Sequence, residues 1–316
     1  MLIFVTLQLV LPLLLLAWLF MRRPAGRITW VLGAGLTLGV IAAVSLAVPW
    51  LFVPARVGYL YLVVWVVAVA RSGMRVRTDV VDGAGGRWRR RRAVAQAIVM
   101  VAAWGIAASA VDGRRLPAGD VHDLACPLGP GRYLVVSGGS RSAVNAHLAT
   151  LADEPRYLPW RGQSYGVDVV QVDGLGRRAR RIASPNVSDY RIYGRPVVAP
   201  CDGTVVSSED GRPDMVVPVR DPDRTKLAGN HVILACGEDQ VLLGHMQPGS
   251  VRLVAGEAAR TGDLLGFVGN SGNTDEPHLH VSVQRRGPGQ APVGGDPIWF
   301  TVGSRFLVRN DVLICE

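Results

Sequence analysis

Lysine is nearly missing from this 316-residue chain: of 34 basic residues, Lys226 is the only lysine. A carrier module needs an exposed, modifiable lysine, and Lys226 sits alone in a polar stretch, which argues against that class. Acidic residues are nearly missing from residues 1–111, where only Asp79 and Asp82 face 12 arginines, a net +10. Residues 112–316 carry 22 basic and 23 acidic residues, a net −1. The overall charge of +9 therefore belongs to the first third. The remainder offers no electrostatic footprint for DNA or RNA, and nucleic-acid binding is set aside. None of the four cysteines shows CxxC spacing, which argues against cysteine zinc sites and thioredoxin-like chemistry. With 49% hydrophobic and 19% charged residues, the chain does not have the composition of a disordered one.

What is present first is apolar length. Four stretches read as membrane spans, at about 2–21, 28–53, 57–70 and 93–111. A cleaved signal peptide is the alternative for the first. It would want a basic start and a small-residue cleavage site, whereas here Arg22 and Arg23 follow the apolar run. Arg22, Arg23 and Arg27 lie between the first two stretches, and Arg71, Arg75, Arg77, Arg87 and Arg89–Arg92 between the last two; the middle loop has only Arg56. Positive loops stay in the cytoplasm, which puts the N-terminus and everything after Val111 outside. The arginine run reads as a solvated loop facing lipid headgroups rather than a nucleic-acid patch. Gly35 and Gly39 suit helix–helix packing better than a dinucleotide loop, since no strand precedes them. Asp82–Gly86 reads as a flexible turn.

After Val111 long apolar runs stop, and short ones alternate with turn residues. Strand-length stretches are Tyr133–Ser137, Gly166–Val172, Pro196–Ala199, Gly203–Ser207, Val232–Ala235, Gln240–Gly244, Leu264–Val268 and His278–Val283, with Ala143–Leu151 the one short helix. This predicts an all-β, antiparallel sandwich or barrel-like domain. The layout is a helical membrane region over 1–111, a linker over 112–125 and a β domain over 126–316. All four cysteines lie outside, where three pairings are open. Cys201 with Cys236, both at strand ends, and Cys126 with Cys315, tying the domain's ends, are preferred; four free buried thiols are the alternative.

There are only six histidines, and Pro277-His278-Leu279-His280 is the most informative tetrapeptide. On a strand, residues two apart share a face, so both imidazoles address one spot. A hydrolytic zinc site needs three protein ligands and one open position, for which imidazoles and carboxylates are suited. A bland pair of surface histidines is the competing reading of the tetrapeptide alone.

The surrounding text resembles a known family. Val198-Ala199-Pro200-Cys201-Asp202-Gly203-Thr204-Val205-Val206, Gly229-Asn230-His231-Val232-Ile233-Leu234, Leu243-Gly244-His245-Met246 and Thr261–Thr274 (TGDLLGFVGNSGNT), running into Pro277-His278-Leu279-His280, are similar to successive blocks of the lysostaphin-type (LytM-like) zinc metallopeptidases, built on the duplicated hybrid motif. Gly166-Val167-Asp168, Asp189-Tyr190 and Tyr193-Gly194 extend the similarity, which covers roughly Cys126 to Val312. It implies a two-layer antiparallel β domain with a groove, cleaving peptide bonds of bacterial peptidoglycan with one Zn2+ per chain. By position, Asp168 and His280 would be zinc ligands, and His245 and His278 the pair at the catalytic water, as general base and as donor to the oxyanion.

One position departs from that pattern. The family's first ligand is a histidine four residues before the aspartate, and here that residue is Ser164. In one reading His147, in Asn145-Ala146-His147, supplies the third ligand, because Gln163-Ser164-Tyr165-Gly166-Val167-Asp168 resembles a branch of the family with an upstream Asn-x-His element. In the other, the site has decayed and the domain binds cell wall or activates another wall hydrolase. The first accounts for the joint presence of Asp168, His245, His278 and His280.

The rest reads plainly. His122 belongs to the linker and is solvated, and His231 is an exposed strand residue. Glu209, Asp210, Asp214, Asp221 and Asp223 form a solvated acidic loop. Arg177, Arg178, Arg180 and Arg181 read as an exposed turn, with contact to anionic wall polymer the alternative. The expected protein is a multi-pass enzyme of the bacterial cytoplasmic membrane with its C-terminal domain outside. Peptidoglycan peptide, the lipid bilayer and a membrane or wall-hydrolase protein are its expected partners.

Overall fold

A computed structural model describes residues 2–77 and 86–316, and the chain divides into two compact units, 1–111 and 112–316. The turn expected at Asp82–Gly86 lies outside the described residues except for Gly86, where a helix begins.

In the first unit, α1 (Leu2–Val5), a π-helical turn (Thr6–Val10) and α2 (Leu11–Met21) run on from one another. They are followed by α3 (Arg27–Ala47), α4 (Val57–Gly73) and α5 (Gly86–Asp112). Among the described residues three helices are long and apolar enough to cross a membrane: Ile3–Met21, Arg27–Ala47 and Arg87–Asp112. The stretch expected as a fourth span is an apolar helix of only 17 residues. A helix needs roughly 20 residues to cross ~30 Å of hydrocarbon. The second expected span, α3, stops at Ala47 and does not reach residue 53. Val48 is extended because Pro49 follows it, and the residue before a proline is pushed out of the helical region. Some polar groups inside this unit find partners: the Gln8 amide nitrogen donates to the Pro49 carbonyl, and the Tyr61 hydroxyl donates to the Gln8 carbonyl at 2.6 Å, while Gln8 Oε1 is buried without one among the described residues. A Cβ on Gly35 would meet Met100 Sδ at 2.7 Å, and one on Gly39 the Trp104 ring at 2.9 Å, so these glycines do admit α5.

The second unit is β. Ten strands form one sheet in the order β12-β2-β3-β10-β7-β6-β5-β8, with β11 on β10 and β1 on β11. These are β1 (Val121–Leu124), β2 (Gly131–Ser137), β3 (Val167–Gln171), β5 (Gly203–Glu209), β6 (Asn230–Cys236), β7 (Asp239–Met246), β8 (Ala258–Ala259), β10 (Leu279–Arg285), β11 (Asp296–Val302) and β12 (Val312–Cys315). A two-stranded ribbon pairs β4 (Pro196–Val198) with β9 (Leu264–Phe267). Pairing is antiparallel throughout except between β1 and β11, which run parallel. The sequence reading of 112–125 as a linker and His122 as solvated needs correction: Val121–Leu124 is a strand, and His122 Nδ1 lies 3.1 Å from Asp239 Oδ2.

Alternation explains the sheet. Val167 and Val169, Val232 and Leu234, Val241 and Leu243, and Leu279, Val281 and Val283 all face one buried core, closed by Val197 and Leu265 of the ribbon. The residues between them face the other way. Gly237, at φ +64°, closes the two-residue hairpin between β6 and β7 with Glu238. Disulfides join Cys126 to Cys315 and Cys201 to Cys236, with Cα–Cα distances of 5.8 and 6.0 Å. The expected helix at Ala143–Leu151 is a 3-10 helix over Ala146–Leu151, and a second covers Leu158–Gln163.

Candidate metal centre

Strand register places the first two residues. Asp168 on β3 sits opposite His280 on β10, and His280 sits opposite Gly244 on β7. Their strand neighbours Val167, Val169, Leu279 and Val281 point into the main core, so Asp168 and His280 project from the opposite face of the sheet. His147 reaches the same point from the 3-10 helix. Asn145 caps that helix, its side-chain oxygen accepting the His147 N–H at 3.0 Å. The Asn145 amide also donates to the carbonyls of Gly139 at 3.0 Å and Gly166 at 3.2 Å, which ties the His147 turn to the strand that carries Asp168.

The three side chains converge closely. His147 Nε2 lies 2.8 Å from Asp168 Oδ2, and His280 Nδ1 lies 2.8 Å from Asp168 Oδ1. One ligand atom from each falls within 4.8 Å of the others. His280 is 1% exposed, and its Nε2 is buried with no hydrogen-bond partner among the described residues. Burial disfavours the Asp168 carboxylate, but the charges of His147 and His278 and hydrogen bonds from His147 and His280 hold it well below the usual carboxylate range. Burial works against protonated His147 as well, yet Asp168 raises it above the ordinary imidazole value. Two imidazoles and an ionised carboxylate, drawn together at one point, suit a divalent zinc ion. Gly166 is required beside them, since a Cβ there would lie 2.5 Å from His280 Cε1.

Two further imidazoles adjoin. His245 and His278 have ring centroids 4.5 Å apart, and the His245 ring is 6.0 Å from that of His280. Strand alternation alone would send His245 into the core with Leu243. Instead His245 adopts φ +63° and bonds its N–H to the Ala228 carbonyl, and β6 and β7 slip register beside it. Its Nδ1 is 2.8 Å from the Ser271 carbonyl. A carbonyl only accepts, so Nδ1 carries the proton and Nε2 keeps its lone pair. Burial, then the neighbouring His278 and His280, hold His245 well below the ordinary imidazole range, so it is neutral near pH 7. His278 lies one residue ahead of β10, with Nδ1 on the Glu276 carbonyl at 2.8 Å and Nε2 3.6 Å from Asp168 Oδ1.

Residues 188–292 match the model of Peptidase family M23. This segment is an M23 peptidase domain. Members of that family are typically zinc metallopeptidases. The chain is 35% identical over 65 residues to endolysin 2638A of a Staphylococcus phage, a match spanning 20% of this chain and 13% of the endolysin. Solved structures similar to it include the catalytic domain of the prophage-encoded M23 protein EnpA from Enterococcus faecalis, at 20% identity over 40% of this chain and 70% of that one, with a TM-score of 0.26. Others are the catalytic domain of lysostaphin from Staphylococcus simulans (21% identity, 38% and 65% covered, TM-score 0.24) and an M23 peptidase from Pseudomonas aeruginosa (18%, 65% and 59%, 0.28).

Around the M23 domain's histidines the structure adds residues that sequence reasoning missed. Arg309 is buried, with Nε on the Val136 carbonyl at 2.8 Å and a terminal nitrogen on the Ala143 carbonyl at 3.1 Å. Burial lowers it to about 10 while the Asp168 charge opposes that shift. Nothing in the local sequence sets Arg309 apart. Arg178, expected on an exposed turn, is buried and pairs with Glu276 at 2.6 Å, so it anchors the residue whose carbonyl holds His278. The acidic loop is not simply solvated: Arg212 bridges Glu209, Asp221 and Asp223, and Asp214 accepts from the Tyr193 hydroxyl at 2.7 Å and the Asn270 N–H at 2.6 Å. Ser164, at the family's first-ligand position, is buried and donates to the Arg161 carbonyl at 2.6 Å. His231 is half-buried, with Nδ1 on the Gly229 carbonyl at 2.8 Å, rather than exposed.

Proposed function

We propose that residues 126–316 form a zinc metalloendopeptidase domain that hydrolyses peptide bonds of bacterial peptidoglycan. The convergence of His147, Asp168 and His280, with His245 and His278 alongside, carries this reading. His147, Asp168 and His280 would hold the ion, His147 taking the place that Ser164 cannot fill. Bound there, zinc would polarise the scissile carbonyl and bring a water to a near-neutral pKa.

The chain's own groups handle the proton. His245, neutral and with Nε2 free, accepts a proton from the attacking water. His278, with its Nδ1–H held by the Glu276 carbonyl, acts as an imidazolium, and its Nε2–H donates to the oxygen of the former carbonyl as negative charge develops there. Water adds to the carbonyl carbon, the C–N bond breaks, and the proton held by the imidazole pair leaves with the amine. Burial of the site favours these transfers, because few waters compete for the imidazoles.

The helices of residues 1–111 serve as the anchor. Arginine-rich connections keep to the cytoplasm, which supports an outward-facing C-terminal domain, and two disulfides suit the oxidising side of a membrane. The experiment is zinc content and muropeptide cleavage by the full chain in neutral detergent, beside His147→Ala and His280→Ala. One zinc per chain, lost in both variants together with cleavage, is expected. A parent protein that takes up no zinc when it is offered would leave the wall-binding, non-catalytic role standing.

A further inference from the structure

On the other side of the sheet from the metal centre lies a second feature, independent of the peptidase reading. Gln171 ends β3 three residues after Asp168 and therefore points to the opposite face. There it lines a cavity of about 170 Å³ together with Arg180, Ser188, Arg191, Tyr193 and Arg195. The space is below the ~300–1,000 Å³ of sites for drug-sized ligands and admits one small group.

The wall is basic, and two of its three arginines, Arg191 and Arg195, are anchored. Arg195 donates from Nε to Gln171 Oε1 at 2.7 Å, and Gln171 is itself 7% exposed. The two terminal nitrogens of Arg195 and the whole guanidinium of Arg180, both exposed residues, have no hydrogen-bond or ion-pair partner among the described residues. Arg191 bonds Asp173 Oδ2 at 2.8 Å and the Arg177 carbonyl at 3.0 Å. The carboxylates nearby are already engaged: Asp173 by Arg177 and Arg191, Asp189 by the Ser184 hydroxyl, and Asp214 by Tyr193 and Asn270. Burial, with the Asp214 hydrogen bond, raises Tyr193 to about 12, so it adds no negative charge. With Arg191 paired to Asp173, Arg180 and Arg195 carry the uncompensated charge at this small polar cavity, and an anion with several oxygens would balance it.

We propose that this cavity binds a phosphate group. A carboxylate offers two oxygens and is satisfied by one guanidinium fork, whereas three arginines match the greater number of acceptors on phosphate. The phosphate could belong to a phosphodiester wall polymer or arrive as a small phosphate ester. In the first case the site would hold the outer domain on an anionic surface while the opposite face meets peptide.

The test is calorimetric titration of the full chain in neutral detergent. EDTA is present so that the metal centre cannot take the anion. Glycerol 3-phosphate and a soluble glycerol-phosphate oligomer are the probes, with acetate as the carboxylate control. One saturable site for the phosphate probes, weaker acetate binding, and about tenfold loss in Arg180→Gln and again in Arg195→Gln are expected. Muropeptide cleavage and melting temperature stay at the parent values in both variants. Tighter binding of the oligomer would assign the wall polymer as the source, and equal binding the small ester; both uphold the site. No saturable phosphate binding, or binding untouched by the two substitutions, would overturn it.

Discussion

The two halves of the candidate site are built in different ways. His147, Asp168 and His280 depend on regular structure: a cross-strand register for two of them and a capped 3-10 turn for the third. His245 and His278 depend on departures from it, a left-handed residue at a register slip and a position just before a strand begins. Register and the capped turn bring one ligand atom of each to within 4.8 Å of the others, as a shared ion requires. Irregular backbone turns imidazoles onto a face that strand alternation would deny them. The ligand half should therefore fail as a unit, whereas the proton-handling half should fail without loss of the ion.

The largest effect follows from the ligand half. Asp168→Ala, His280→Ala and His147→Ala should each remove bound zinc and abolish cleavage, because two ligands do not hold the ion. Elemental analysis of each variant checks this, and retention of a full zinc in His147→Ala would assign the third ligand elsewhere. Next come His245→Ala and His278→Ala. Each should keep zinc but lower kcat by roughly 10²–10⁴-fold, the usual weight of a general acid or base. Equal metal loss in both halves would dissolve the distinction drawn between them.

How far the sequence shows this depends on what encodes each part. Strands β2, β3, β6, β7 and β10 read as short apolar runs, because their alternate residues fill the main core while Ile233 and Leu242 are buried on the other face. The strands β1, β8, β11 and β12 escape that pattern: β8 has two residues, and β11 opens with Asp296-Pro297 and is half-buried over its first half. The six histidines narrowed the site to few candidates, and the structure brings His147, His245, His278 and His280 to Asp168 while leaving His122 and His231 outside. Arg178 and Arg309 were not legible, since a buried guanidinium looks like an exposed one until its partners are known. The left-handed turn at His245 was equally hidden, because it opposes the local strand pattern.

A smaller effect is expected at Gly166. Its Cβ in Gly166→Ala would press on His280 Cε1, and backbone of Gln163 lies 2.9 Å away, so the ring rather than the chain must yield. Zinc affinity should fall by about 10–100-fold, as for lost outer support of a metal ligand, and the melting temperature of the metal-free protein should change less than in Asp168→Ala. For the metal-free protein, acid should also be destabilising. Burial holds His245 well down and His280 at about 4, whereas unfolded histidine titrates near ~6.5. Between those values the unfolded chain binds more protons, so stability falls as pH falls through this window. His147 runs oppositely, contributing below ~6.5 and losing that contribution as pH rises through its raised value. Melting curves from pH 7 to 4 should show the net decline, and His245→Gln should flatten it.

The mildest change sharpens the comparison most. Arg178→Met removes the partner of Glu276 but touches neither a ligand nor the proton-handling pair. Glu276 would then hold its carbonyl less firmly against His278, while Thr274, which donates to the same carbonyl at 2.8 Å, keeps part of the arrangement. The expected result is about a tenfold fall in kcat with zinc content and KM near the parent values, because the ion and the peptide contacts stay in place. A Glu276→Gln variant separates the two contributions, since the amide can still bond Arg178 without its charge and should recover part of the rate. If Arg178→Met instead lost zinc, the ligand half would depend on the loop that orients His278, and the two halves would be one mechanical unit.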